Sequence, residues 1–418
     1  MGKELKVLMM GGARVGKSSA LAAIMESFIT GPSRYLLSAE DKTNLEKKDG
    51  EKQASIESKL KDAKEMLSKY NGKIILVDSG KTNNIWSYHL ELSVPDSNDS
   101  MSITFTDING EFFEQGNFRQ DEVINLIKDY EVFIVAIDTA FMMESRNVSN
   151  KLVNSVINDK YNCISSIHTF LCEIDDNEGK DAKLVIFTPI KCEKWAQENK
   201  LDDVVKCVQE DYSTPLKALK AFKNIQIEIL PIQTIGSMVF VEHCEAYKFR
   251  YEKPYLLFFT KEHIAKCAIL PENSIRLSDG SFMKYQDGKI LDDESAVMIE
   301  GSGIIRPNSW FKVQSSDYKP HNCEQLAYHI LEFMLSKVID AKVRKKESEN
   351  RFISGILNLA DRALNFFTIG LWNKLKDVFG SISIEKMSSI IDNMNKMNMI
   401  KREGEGIYIL KKSNFKKL

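Results

Sequence analysis

Hydrophobic and polar positions alternate between strand-like and helix-like stretches along most of the chain. Lys6 to Met10 (KVLMM) is a short apolar run suited to a buried strand, and Ser18 to Ile29 follows with helical spacing. Residues 39 to 70 are polar and helix-friendly, with Leu60, Ala63, Met66 and Leu67 as a thin apolar stripe, so a helix is expected there. A short IILV run lies just before Asp78. Asn84 to Val94 (NIWSYHLELSV) alternates like a half-buried strand, PDSNDS supplies a turn, and Ser102 to Thr106 (SITFT) is the returning strand. Glu131 to Ile137 (EVFIVAI) and Ala182 to Phe187 (AKLVIF) are continuous apolar runs, as central parallel strands require. Residues 147 to 177 and Leu201 to Phe222 read as helices, and Gln226 to Leu230 as the next strand. Strands alternating with helices predict an α/β fold with a mainly parallel, doubly wound sheet flanked by helices.

That rhythm breaks between residues 246 and 318, where YLLFF, AVMIE and SWFKV are separated by Gly, Asp and Ser. A β-rich insertion is expected. Gln325 to Val343 returns as a helix, with Leu326, His329, Ile330, Phe333 and Met334 near one face, and it closes the first domain. Residues 344 to 350 (RKKESEN) read as a linker. The expected division is therefore 1–343, with a helical insertion at about 39–72 and the β-rich insertion at about 246–318, and a C-terminal module, 344–418. In that module Ile384 to Leu410 resembles the second half of a winged-helix domain: a helix carrying Met387, Ile390, Ile391, Met394 and Met397, then a Gly-Glu-Gly turn and GIYIL as a hairpin wing. Phe352 to Phe379 reads either as a membrane-surface or partner helix, or as the first helices of the same module, and the second is favoured.

Composition narrows the setting. The chain has 418 residues and a net charge of −2, so no global bias toward nucleic acid or membrane exists. From Ala341 onward there are 16 Lys and Arg against 8 Asp and Glu, leaving 41 against 51 before it. A basic end on an acidic body suits an anionic partner or a solvated surface. The helix expected to enter a groove has few Arg or Lys to read bases, so a protein effector or a structural role is favoured over nucleic acid. The seven Cys form no CxxC pair and, with the nearby His, fit no tetrahedral zinc spacing; they read as reduced thiols of a cytoplasmic chain. The first residues are too short an apolar run for a signal peptide, and those after Gly2 lack the Ser or Thr of a myristoylation signal. No run approaches the ~18 apolar residues of a transmembrane helix.

The chemistry is concentrated in Gly11-Gly12-Ala13-Arg14-Val15-Gly16-Lys17-Ser18, which matches G-x-x-x-x-G-K-S between a strand and a helix, with Ser19 beside it. Glycine permits the bend that turns successive N–H groups toward phosphate oxygens, and the helix adds its positive end. Lys17 reaches the β- and γ-phosphates and Ser18 ligates Mg²⁺. A second signal, Asp107-Ile108-Asn109-Gly110-Glu111, ends the SITFT strand. A carboxylate there can hold Mg²⁺, and Gly110 can turn its N–H toward a γ-phosphate.

This order of phosphate loop, hairpin, D-x-x-G and further β/α units resembles the Ras-like P-loop GTPases. The resemblance implies GTP as ligand, Mg²⁺ held by Ser18, Asp107 and a switch threonine, and Glu111 as the residue that orients the attacking water. Thr82 is the candidate threonine, with Ser79 and Thr43 as rivals. For the base, Lys191 and Glu193 match the K-x-D half of N-K-x-D, while Ile190 stands at the Asn position; Glu193 can also be read as a helix cap. Pro231 to Gly236 falls where the family's base-covering loop lies, or is an ordinary turn. GGARVGKSSAL, DINGE, AIDTAFMME and TPIKCEKW further resemble bacterial double-GTPase-like proteins, which implies a role in conflict or signalling systems. The implied activity is a slowly hydrolysing GTP switch acting through Lys17 and Glu111. Alternatives are an ATPase of the same fold and a nucleotide-loaded scaffold with little turnover.

Overall fold

The computed structural model describes residues 5–31, 37–45, 47–48, 51–76, 84–93, 100–114, 120–148, 153–174, 182–222, 224–244, 308–354, 384–401 and 407–411, with short strands between 255 and 301. The strands are β1 (Leu5–Met10), β2 (Ser38–Asp41), β3 (Lys47–Lys48), β4 (Glu51–Lys52), β5 (Ile74–Leu76), β6 (Trp86–Ser93), β7 (Ser100–Asp107), β8 (Val132–Asp138), β9 (Lys183–Ile190), β10 (Ile225–Ile229), β11 (Met238–Cys244), β12 (Tyr255–Phe259), β13 (Ala268–Leu270), β14 (Ser274–Arg276), β15 (Phe282–Gln286), β16 (Lys289–Ile290), β17 (Val297–Gly301), β18 (Asn308–Val313) and β19 (Tyr408–Lys411). The helices are α1 (Lys17–Thr30), α2 (Ile56–Lys69), α3 (Gln120–Ile127), α4 (Thr139–Glu144), α5 (Ser155–Asn162), α6 (Ile164–Cys172), α7 (Glu193–Gln197), α8 (Leu201–Asp211), α9 (Ser213–Ala221), α10 (Cys323–Ser354) and α11 (Ile384–Lys396).

Eight strands form the main sheet in the order β19-β10-β9-β8-β1-β7-β6-β2. The five from β10 to β7 are mutually parallel, while β6, β19 and the β2–β6 pairing are antiparallel. Both faces are covered, and the two-residue side-chain period decides which residue goes where. Val7, Met9, Ile134, Ala136, Leu184 and Ile186 face one core with residues of α1, α10 and α11. Leu8, Met10, Phe133, Val135, Val185 and Phe187 face the other, with residues of α3, α6, α8 and α9. The expected mixed α/β architecture, a large, mostly parallel sheet flanked by helices, is what forms.

Several local expectations change. Of the polar stretch from residue 39 to 70, only Ile56–Lys69 is helical, started by Ser55, whose side chain accepts from the Ser58 N–H. Ser38–Asp41 instead pairs with β6 as the edge strand, because the sheet offers hydrogen-bond partners that no helical periodicity competes with. The 147–177 helix divides at Cys163, which adopts a left-handed φ of 51°. Leu201–Phe222 divides at Tyr212, fully buried under Phe187. SWFKV is not confined to the insertion: β18 pairs with β11 and β5, and Phe311 and Val313 join the second core. The residues read as a linker, 344–350, continue α10 to Ser354, as their helix-favouring Arg, Lys and Glu allow. GIYIL does not fold back as a hairpin wing on the residues ahead of it: Tyr408–Lys411 pairs with β10, and Met387, Ile390 and Met394 of α11 pack into the first core. Of the stretch from Phe352 to Phe379, residues 355 to 379 lie outside the described residues.

Candidate functional site

The carboxyl ends of β7, β1, β8 and β9 lie side by side. Met9 stands opposite Asp107, Met10 opposite Val135, and Asp138 opposite Ile190. β1 has β8 on one side and β7 on the other, so the loop after Met10 opens at the point where the strand order changes direction. Open α/β sheets bind ligands at such points.

That loop bends through positive φ at Gly11 (144°), Arg14 (63°) and Gly16 (111°). Arg14 holds a left-handed conformation uncommon for a side-chain-bearing residue. Gly16 precedes α1 without any side-chain cap, so the first N–H groups of the helix keep their binding capacity. Val15 is buried in the core and Ser19 is exposed. The Lys17 side chain is buried and crosses the loop, its Nζ donating to Gly11 O at 3.1 Å and Gly12 O at 2.9 Å. Burial pushes its pKa below the usual lysine range, against the pull of Asp107 and Cys163.

Ser18 Oγ donates to Asp107 Oδ2. Asp107 is 1% exposed, and its other oxygen, Oδ1, is buried without a hydrogen-bond partner. A buried, unmatched carboxylate oxygen is costly, and a bound cation would satisfy it. A hydroxyl and a carboxylate are the hard oxygen donors that Mg²⁺ takes, so these residues fit the ion. Among the described residues no cluster of three or more His, Cys, Asp or Glu could hold a metal. Mg²⁺ is commonly held by one or two carboxylates with phosphate and water completing its shell.

The D-x-x-G segment follows directly. Gly110 presses on the loop so closely that a Cβ would run into the backbone of Gly12 and Ala13, and glycine is required there for that reason. Asn109 Oδ1 accepts from the Glu111 N–H at 3.0 Å and starts a single 3-10 turn, Gly110–Phe113. Phe113 anchors that turn edge-on to Phe170, with ring centroids 5.1 Å apart. Glu111 sits half-buried in the first turn, next to the glycine.

At the other end of the site, Lys191 follows β9 with a left-handed φ of 61°. Its Nζ pairs with Asp138, and its Cε lies 3.7 Å from where a Cβ on Gly16 would stand. Ile190, at the Asn position, is buried in the core. Glu193 is buried too; its Oε1 accepts from the N–H groups of Ile235 (3.2 Å) and Gly236 (3.0 Å). Burial pushes its carboxyl up, opposed by those hydrogen bonds. Glu193 thus ties the start of α7 to the Pro231–Gly236 loop. Thr82 and Ser79 lie outside the described residues. Thr43 is committed elsewhere: its Oγ1 accepts from the His89 N–H at 2.9 Å.

Tertiary structure adds residues that sequence reasoning missed. The Tyr161 carbonyl and Cys163 Sγ face Gly12 from the junction of α5 and α6. Asn162 clamps the backbone of Asp138 at both polar atoms, 2.7 Å from its N and 3.2 Å from its O. Lys59 of α2 is held below the usual lysine range by burial, against the attraction of Asp107. Only Asp138, at the end of the EVFIVAI run, had a visible signal, since residues ending central strands line such sites.

No family model matches the chain, and no curated protein matches it. Among solved structures it is similar to the Saccharomyces cerevisiae Ski7 GTPase-like domain, crystallised bound to GTP, with 17% identity and a TM-score of 0.30. The alignment covers 56% of this chain and 44% of that one, so this chain spans less than half the length of that relative.

Proposed function

We propose that the chain is a GTP-binding switch that hydrolyses its ligand slowly with Mg²⁺. The observation that carries this reading is the Ser18–Asp107 contact with a buried, unmatched Asp107 Oδ1 beside a glycine-rich loop and Lys17. In this reading Lys17 and the loop N–H groups from Gly11 to Ser19 bind the phosphates and stabilise their charge. Ser18 and Asp107, with Thr82, hold Mg²⁺, which supplies charge neutralisation at the phosphates when bound. Gly110 senses the γ-phosphate through its N–H, and Glu111 orients the water that attacks it. Lys191 and Glu193 serve the base end, Lys191 by its side chain and Glu193 by fixing the loop that covers the base. Residues 1–343 carry the nucleotide site, and the basic end from residue 344 meets a protein effector in a bacterial conflict or signalling pathway of the cytoplasm.

A second reading, an ATPase of the same fold, draws on one observation: Ile190 replaces the expected Asn, and Glu193 is engaged with backbone N–H groups. Titration calorimetry with GTP and ATP, with and without Mg²⁺, tests both. The first reading expects tighter GTP binding that Mg²⁺ strengthens and that Lys17→Ala abolishes. ATP preference would select the second, and unchanged affinity in Lys17→Ala would overturn the site itself.

A further inference from the structure

We infer that Asp138 is the residue that fixes the nucleoside end of the site, by holding Lys191 over the phosphate loop. The inference rests on the nucleotide reading above and adds a residue with no role in it.

Asp138 ends β8, and both its side-chain oxygens and both its backbone polar groups have partners. Its Oδ1 accepts from the Ala140 N–H at 3.0 Å, capping α4, and its Oδ2 takes the Lys191 ammonium. Its backbone N–H donates to Asn162 Oδ1 and its carbonyl accepts from Asn162 Nδ2. Asn162 is in turn fixed by Asn158 Oδ1 at 2.7 Å, and Asn158 by Asp211 at 2.9 Å. Both Asp138 oxygens are engaged within the protein and the side chain is 3% exposed, so Asp138 is assigned as a positioning residue. What it positions is unusual. Lys191 adopts a left-handed backbone, a conformation that persists in a side-chain-bearing residue only when surroundings impose it. Its side chain is 19% exposed, against 3% for Asp138, and its ammonium, paired with Asp138, also lies 5.8 Å from the centre of the Phe311 ring. The stem passes over Gly16, and the next residue, Cys192, donates its N–H to Ile232 O at 3.2 Å. An aliphatic stem beside Gly16, on a residue whose chain neighbour is tied to the 231–236 loop, is the face that the proposal gives to a planar base. The ligand class is a purine nucleoside triphosphate, gripped by the loop at its phosphates and by Lys191 at its base.

The test separates the two grips. Nucleoside triphosphate and inorganic tripolyphosphate share the phosphates and differ in the base, so Asp138→Asn should weaken GTP binding about 10-fold and leave tripolyphosphate binding unchanged. Asn162→Ala should act in the same direction with a smaller loss. Because Asp138→Asn leaves the Lys191 ammonium without its counter-charge, the same change is also made in Lys191→Met, where it should add nothing to the loss already present. Equal loss for both ligands, or a full additional loss in the Lys191→Met background, would overturn the proposal and leave Asp138 as a merely structural residue. The wild-type arm reports on the underlying reading alone: a chain that binds neither ligand has no nucleotide site for Asp138 to serve.

Discussion

Buried charge is handled differently at the two ends of this molecule. At the phosphate loop, Asp107 keeps one buried oxygen without a partner and Lys17 turns back onto loop carbonyls. Where the C-terminal segment joins the body, matching is close. His329 of α10 places Nδ1 2.9 Å from Glu228 of β10 and Nε2 3.2 Å from Lys401 O. The Glu228 contact is an ion pair without hydrogen-bond alignment, since the same oxygen, Oε2, has no hydrogen-bond partner. Gln325 joins both neighbouring backbone groups, donating to Met399 O and accepting from the Lys401 N–H, each at 2.9 Å. The unmatched Asp107 oxygen lies beside the glycine-rich loop, where a bound cation would satisfy it, whereas the unmatched Glu228 oxygen lies against the His329 ring, whose charge offsets it.

Breaking the closed end should have the largest effect. His329→Ala leaves Glu228 buried without the cation beside it, its Oε1 still accepting from Gln226, so unfolding free energy should fall by about 3–5 kcal/mol, read from urea unfolding, with nucleotide affinity retained in the folded fraction. At the open end the balance reverses. Asp107→Asn should reduce Mg²⁺-dependent nucleotide affinity about 100-fold, or about 2.7 kcal/mol, by calorimetry, while the thermal midpoint holds or rises. A fall in both together would erase the contrast. Gln325→Ala leaves two backbone groups unmatched and should cost about 1–3 kcal/mol, again without touching affinity.

The smallest effect is the pH dependence of the clasp. Burial alone would lower the His329 pKa; Glu228 and the nearby Glu332 and Lys401 carbonyl outweigh it, and the net direction is up from 6.5. A raised pKa means that the folded state holds its proton more tightly. The clasp's contribution is therefore complete below about pH 6.5 and is lost as pH rises through the higher folded value. Urea midpoints should decline across that window, and His329→Gln, which cannot ionise, should remove that part of the decline.

The two ends also differ in how much of them could be read from the chain. The turn from Gly11 to Ser18 was legible as local geometry, because one short segment carries the glycines that take positive φ at 11 and 16, a lysine, a hydroxyl and a helix start. Asp107 and Gly110 were legible for the same reason, lying three residues apart at a strand end. The central strands declared themselves as apolar runs because both faces are covered. The pattern of α11 and GIYIL suits a hairpin wing and an added edge strand equally well, and among the described residues it is the edge of β10 that takes Tyr408–Lys411. The 344–350 stretch misled through its polarity, which a solvated helix shares with a linker.

The sequence by itself determined the mostly parallel α/β body and the glycine turn ahead of α1, because strand alternation and a contiguous turn are local properties of the chain. Only the tertiary structure decided that Asp138, Asn162 and Lys191 meet, that Glu193 anchors the 231–236 loop, and that His329 finds Glu228. Each of those contacts joins residues 24 to 101 positions apart, and no local spacing encodes which buried donor will face which buried acceptor once the sheet has closed.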